Sequence, residues 1–310
     1  MSAVAPWVAV PAVGGALVAG VYATGVLDAL AGRRRAGRPL AVGDALSLPW
    51  RRACLLLVQR GVSTERPDAS AWMLAPALYG AMAAAALTVV PLSEGRVVAD
   101  LRTGIVVWGA AEMLAMVGVY LHGWSPNSAF PLLGAYRFVA QAVSFELLSM
   151  FVLIAAALPA RSLQVTRIVE SQESLWNVLR QPLGLPLFVV VTLGVAFWGP
   201  LNLPDGDDLA GGTGAELSGP ARLAWEGSRA AWLVAASAMG AAAFLGGWLG
   251  PWLPGPLWMV LKTLALLTVT VWLGHRAARV RPERFVVSAW TVLLPLAFLD
   301  LVVAGVQALP

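Results

Sequence analysis

The stretch Gly123–Glu146, GWSPNSAFPLLGAYRFVAQAVSFE, decides how this chain is read. A polar turn of Ser125, Pro126, Asn127 and Ser128 separates two long apolar runs. The second run carries Arg137, Gln141, Ser144 and Glu146 into a segment apolar enough to lie in lipid. Charged groups at that depth are expensive, so they mark either a functional site or the polar contacts between helices. On a helix turning about 100° per residue, Arg137, Gln141 and Ser144 form one stripe and Glu146 points to the opposite face. Arg137 and Glu146 are therefore not partners, and each needs a group from another helix or a water-filled cavity.

The rest of the chain fits this setting. Of 310 residues, 59% are hydrophobic and 12% are charged. A soluble domain carries about 25% charged residues. The expected fold is all-α, a single polytopic transmembrane domain with the lipid bilayer as its solvent. One Cys and two His leave no ligand set within this chain for an iron–sulfur cluster or a Cys/His zinc site, and no intrachain disulfide. The formal net charge of +4 comes from 21 basic residues, of which only Lys262 is a lysine. Most of them sit in loops between apolar runs, a pattern of membrane topology and not of nucleic-acid binding.

Eight spans of roughly 20 residues are expected at 5–31, 71–91, 103–122, 136–159, 183–200, 228–250, 257–275 and 286–307. The first run is too long for a signal peptide and lacks its basic start, so it is kept as a span. Segment 32–70 is a basic loop holding Arg33, Arg34, Arg35, Arg38, Arg51, Arg52, Arg60 and Arg66. Within it Pro49–Arg60 reads as an interfacial helix: Trp50, Ala53, Cys54, Leu57 and Val58 share one face, with Arg51 and Arg52 off it. Segment 160–182 alternates apolar and charged residues and is expected to lie as a helix on the membrane surface. The bias of arginine places loops 32–70, 123–135, 201–227 and 276–285 in the cytoplasm and both termini outside. Loop 201–227 is acidic, with Asp205, Asp207, Asp208 and Glu216.

Further charges lie within spans. Glu112 and Glu146 are each about nine or ten residues in from opposite ends of consecutive spans, so they fall at similar depth near the midplane. Two such carboxylates suit proton relay. Lys262 and Asp300 also fall at matching depth in consecutive spans, and an intramembrane ion pair between them is expected.

Taken together these segments resemble the H subunit (subunit 1) of the proton-translocating NADH–quinone oxidoreductase, complex I. The resemblance runs from Asp100 to Glu146 through GWSPNSAFPLLGAYRFVAQAVSFE and continues with Ile168-Val-Glu, Trp176-Asn-Val-Leu and Gln181-Pro-Leu-Gly. It extends to Pro200-Leu-Asn-Leu-Pro204 and the acids after it, Phe244-Leu-Gly-Gly-Trp-Leu-Gly-Pro, Pro254-Gly-Pro-Leu-Trp with Lys262, and Leu293-Leu-Pro-Leu. It implies a membrane-arm subunit with no redox centre of its own, not catalytic alone, with quinone as substrate. Iron–sulfur subunits and further membrane subunits are the implied partners.

By position, Arg137, Gln141 and Glu146 would belong to the family's polar path, with Glu112, Glu226, Lys262 and Asp300 as further candidates. Asp205, Asp207, Asp208 and Glu216 would face the quinone end, together with Trp50, Arg51 and Arg52 of the first amphipathic helix. The sequence departs from the family at several points. The family's Glu-Thr-Asn-Arg before Pro200 reads Val195-Ala-Phe-Trp198. Its Glu in the sixth span falls on Arg229, with Glu226 one turn earlier. Glu112 stands where the family tends to have Ser. The pattern is that of a divergent paralogue. The preference for Arg and for Ala and Gly points to a GC-rich bacterium and so to its plasma membrane. A membrane-bound hydrogenase anchor or a ferredoxin-fed complex keeps the same fold with other electron partners. A stand-alone secondary transporter would carry an internal repeat of interrupted helices, and none is visible.

Overall fold

In the computed structural model residues 6–39 and 41–308 are described, so the expected start of the first span at residue 5 lies outside them. Lipid offers the backbone no hydrogen bonds, so apolar runs must satisfy their own as long helices. Six do so at membrane-spanning length and apolarity: α1 (Pro6–Arg35), α3 (Ala69–Thr88), α4 (Gly104–Trp124), α5 (Ala129–Ala157), α10 (Gly255–Arg276), and a last span. That last span joins α11 (Pro282–Ser288) to α12 (Leu294–Gln307) through a π-helical segment, Ala289–Leu293. Pro295 has no N–H to give Thr291, and the wider turn absorbs the missing bond. The Thr291 hydroxyl donates to the Val287 carbonyl at 2.7 Å.

The spans expected at 183–200 and 228–250 correspond to α8 (Gly184–Val195) and α9 (Gly219–Phe244). Helix α8 has 12 residues, about 18 Å of rise, too little for a hydrocarbon layer of about 30 Å. Helix α9 is less apolar than the six because it sits at the centre. Every residue from Ala230 to Phe244 is buried, and Ala, Gly and Ser fill a close-packed interior where Leu would face lipid. Helices α1, α3, α8 and α10 surround it, and α5 carries α12 on its far side. The turn between α4 and α5 is shorter than the expected loop 123–135. Only residues 125–128 connect them, because Pro131 sits in the first turn of α5, where its missing N–H costs nothing.

The interfacial helix is α2 (Val42–Val58), which begins before Pro49. Pro49 packs on Gly25 of α1, where a Cβ would lie 3.0 Å from the proline ring. Trp50, Cys54, Leu57 and Val58 remain exposed on its outer face.

Segment 160–182 is not a surface helix. It breaks into α6 (Val165–Glu170) and α7 (Asn177–Arg180), and its amides are drawn into the bundle. Gln172, Asn177 and Gln181 are fully buried. Asn177 Nδ2 donates to the carbonyls of Ala156 and Ala243 at 3.1 and 2.9 Å. Gln172 Nε2 reaches Ala242 at 2.9 Å and Gln181 Nε2 reaches Ala155 at 2.7 Å. Helix ends leave carbonyls without intrahelical partners. These three side chains close the ends of α5 and α9, and that demand outweighs the amphipathic pattern.

Candidate functional site

One end of the bundle, the acidic end, gathers α2, the C-terminal ends of α1, α8 and α10, and the acidic loop. Helix α8 stops inside the protein, and its last carbonyls are bonded by three different helices. Gln141 Nε2 of α5 donates to Gly194 O at 2.9 Å, the Tyr79 hydroxyl of α3 donates to Val195 O, and Arg229 Nη2 of α9 donates to Phe197 O at 2.7 Å. Phe197 itself holds a left-handed φ of 36°, which a bulky side chain adopts only under constraint.

Arg229 supplies that constraint. Its guanidinium lies 4.0 Å over the Phe197 ring, and Nη1 contacts Asp205 Oδ2 at 2.7 Å. Both side chains of the pair are nearly buried, at 13% and 12% exposure. Two more aspartates of the loop meet arginines in more exposed settings. Arg137 of α5 binds Asp208, and Arg279, just beyond α10, meets Asp207 at 3.7 Å. The hydrogen bond from Arg137 holds the Asp208 carboxyl below the usual range. Arginines from three parts of the fold thus face three aspartates of one loop, and only the Arg229–Asp205 pair is buried. Arg137 obtains the interhelical partner its position requires, at the acidic end and not in mid-membrane.

Beside this clamp lies an apolar cavity of about 940 Å³ between α1, α3 and α9. Close approaches set its upper limit. A Cβ on Gly20 would lie 2.6 Å from Val234, and one on Gly80 would lie 2.8 Å from the Ser228 hydroxyl. Trp72, Met73 and Pro76 line the α3 wall, and small residues including Ala224 and Ser228 line the α9 wall. Among the acids expected at the quinone end, Glu216 alone lines this space, with Ser128 Oγ donating to its Oε1 at 3.0 Å. Asp205 and Asp208 turn to Arg229 and Arg137, and Asp207 stays exposed. Trp50 and Arg51 stay on the outer surface. Arg52 reaches Glu226 at 2.8 Å, and Arg222 reaches the same carboxyl at 2.9 Å. Glu226 thus ties α2 to α9 at the acidic end and does not stand in mid-membrane.

The expected Lys262–Asp300 pair is absent. Lys262 Nζ donates to Leu249 O at 2.6 Å and lies 4.2 Å over the Trp176 ring. Asp300 lies beside Gly184 at the start of α8. Consecutive spans need not be neighbours: α10 packs on α1 and α9, whereas α12 packs on α5. Glu112 and Glu146 do come together. Gly109 of α4 faces Met150 of α5 at close approach, which sets Glu112 beside Ser149 and Glu146. Glu112 is buried at 2% exposure, and Glu146 is half-buried.

Sequence reasoning passed over His122, which is buried and stacked on Trp225 at a centroid distance of 3.7 Å. It also passed over the cavity walls. The signal was present as Trp72, Pro76 and Gly80 at i, i+4 and i+8 on α3, opposite a small-residue stripe on α9. Among the described residues no group of three or more His, Cys, Asp or Glu side chains is placed to hold a metal ion.

A bundle of apolar helices long enough to cross a membrane, with an apolar cavity and an acidic loop at one end, is an integral membrane protein. The chain matches the NADH dehydrogenase family over residues 16–305 and belongs to it. It is 34% identical over 274 residues to the first H subunit of the NADH-quinone oxidoreductase of Rhodopseudomonas palustris, covering 86% of this chain and 85% of the relative. It is 32% identical over 260 residues to the H subunit of the NADH-quinone oxidoreductase of Syntrophotalea carbinolica, covering 81% and 79%. With the corresponding H subunit of Geobacillus kaustophilus it shares 30% identity over 257 residues, covering 81% and 77%.

Proposed function

We propose that this chain is the membrane-arm subunit of a complex I-like NADH–quinone oxidoreductase, and that it receives quinone in the cavity between α1, α3 and α9. The single observation that carries the quinone site is that cavity, about 940 Å³ and lined largely by apolar side chains. Its walls suit an isoprenoid chain, which gains about 25 cal/mol for each Å² of apolar surface removed from water. Ser63, Glu216, Ser218 and Ser228 are the polar side chains along it; the Ser228 hydroxyl is given to the Pro76 carbonyl at 2.9 Å, whereas Ser218 Oγ accepts from Val62 N at 2.6 Å and keeps its proton for a head-group carbonyl. The acidic end faces the cytoplasm of a bacterial plasma membrane, and both termini lie outside. Electrons come from iron–sulfur partner subunits, since this chain is a subunit and not catalytic alone. Further membrane subunits cover its flanks.

Coupling to proton movement runs through the intramembrane acids, with Glu146 at the bundle surface. Asp205 acts as structure, because Arg229 holds it in a nearly buried pair, while Asp208 meets Arg137 nearer the surface and Asp207 stays exposed. Isolation of the chain from its native membrane in mild detergent tests the assignment. Co-purifying iron–sulfur and antiporter-like subunits with NADH-driven quinone reduction are expected. A chain isolated with a nickel-containing large subunit, or with no partner, contradicts it.

A further inference from the structure

Helix α5 starts against the acidic loop, where Ser128 meets Glu216, and runs 29 residues to Ala157 at the other end of the bundle. There it finishes beside the end of α12, where a Cβ on Gly305 would lie 3.9 Å from Leu158. A recess of about 680 Å³ opens between these two ends and the segment that follows α5. Pro159, Arg161, Leu175, Leu179, Arg180 and Gln307 line it, and no carboxylate does. Arg161 stands in the turn after α5, and its Nη2 donates to Ala308 O, just past α12, at 3.3 Å. Arg180 Nη2 donates to the Ser174 hydroxyl at 3.2 Å, and Gln307 Nε2 reaches back to Arg180 O at 3.4 Å. A guanidinium has five N–H donors, so one long bond apiece leaves most of them open. Among the described residues neither arginine pairs with a carboxylate, whereas Arg167 of the same segment meets Glu170 at 3.1 Å.

We propose that this recess binds an anionic phospholipid, with Arg161 and Arg180 on its phosphodiester and Leu175 and Leu179 against the start of an acyl chain. The charge balance fits one such group. Each helix C-terminus carries about half a negative charge, so the ends of α5 and α12 offset about one of the two positive charges of the arginines. The remainder of about one matches a single phosphodiester. The donors fit as well, because a guanidinium grips phosphate oxygens with paired, charge-assisted hydrogen bonds. The depth fits a lipid head. Both helices belong to spans of membrane-crossing length, so their shared ends lie at the level of the phosphates. Beside the arginines, Leu175 and Leu179 lie at i and i+4 and are 43% and 69% exposed, and Val306 of α12 is 64% exposed. A soluble anion gains nothing from that apolar flank, whereas a lipid covers it and neutralises the arginines at once. The site holds whichever electron partners the chain assembles with.

The test uses the protein purified from its native membrane with its partners and placed in phosphatidylcholine nanodiscs. The probe is phosphatidylglycerol carrying a photoreactive group near its head, and labelled peptides are mapped after illumination. Labelling within residues 159–180 is expected in the wild type, and a phosphatidylcholine probe should label that stretch far less. Combining Arg161→Gln with Arg180→Gln should lower the labelling at least about tenfold, the effect of about 1.4 kcal/mol. Arg167→Gln, which removes an arginine already paired with Glu170, should leave it unchanged. If the double variant does not assemble, R180Q alone gives up only a bond to the Ser174 hydroxyl and should halve the labelling or more. Labelling unchanged in the glutamine variants, matched by the phosphatidylcholine probe, or lost equally in R167Q overturns the proposal. So does a wild type that takes no label, as when a partner subunit covers the recess. Suppression of the label by inorganic phosphate makes the occupant a free anion and overturns the lipid assignment.

Discussion

Replacing Arg229 by Met keeps the length and apolar stem of the side chain and removes its charge. Asp205 would then be left at 12% exposure without its cation, and Phe197 O would lose its charged donor. Removing one partner of a buried ion pair costs about 3–5 kcal/mol. The Phe197 bond is part of the same event and is not added to it. With both side chains slightly exposed, about 3 kcal/mol is the expected value. At about 1.4 kcal/mol per tenfold change, opening of the 197–214 segment should become about a hundredfold more frequent. Amide hydrogen exchange of the purified complex in lipid nanodiscs reads this directly. Adding Asp205→Asn should recover much of the loss, because the stranded charge goes with it. A loss below about 1 kcal/mol in the single variant, or losses that simply add in the double variant, would refute the view that Arg229 holds the broken end of α8.

Three further outcomes follow from the same geometry. Asn177→Ala strips donors from the Ala156 and Ala243 carbonyls, both buried, and should lower stability by about 2–3 kcal/mol, read as the melting shift of the complex. Asp208 has a folded pKa below its unfolded value, so its pairing contributes above the unfolded pKa and is lost as pH falls through the folded one. Exchange protection of the acidic loop should hold down to about pH 4 and decline below it, and Asp208→Asn should flatten the decline. Ala224→Trp fills the cavity from an exposed position on α9; quinone reduction should fall at least tenfold, the effect of about 1.4 kcal/mol, with assembly unchanged, as judged by native gel and turnover together.

The helical class, the basic and acidic loops and six of the spans were legible because each depends on composition over a window of residues. The depth match of Glu112 and Glu146 was legible because α4 and α5 are antiparallel neighbours joined by a short turn. The same argument failed for Lys262 and Asp300, whose helices are consecutive in sequence but separated in space. Lys262 went to a carbonyl and two indole rings instead. The amphipathic reading of 160–182 failed because Gln172, Asn177 and Gln181 look like surface residues until the open carbonyls of α5 and α9 are known. The arginine at 229 could be seen to replace a carboxylate, but its partner Asp205 lies across the end of α8, and no spacing rule reaches across a broken helix. The cavity was hidden for a related reason. It exists because three helices touch at Gly20 and Gly80 and diverge beyond, and divergence leaves no mark in a sequence beyond the small residues that permit it.

The most direct test of the central claim is photo-crosslinking of the native membrane with a quinone analogue carrying a photoreactive isoprenoid tail, followed by peptide mapping. Labelling of Trp72, Met73 or Ala224 that excess natural quinone suppresses is the predicted result. Labelling confined to other spans, or undiminished by quinone, would contradict it.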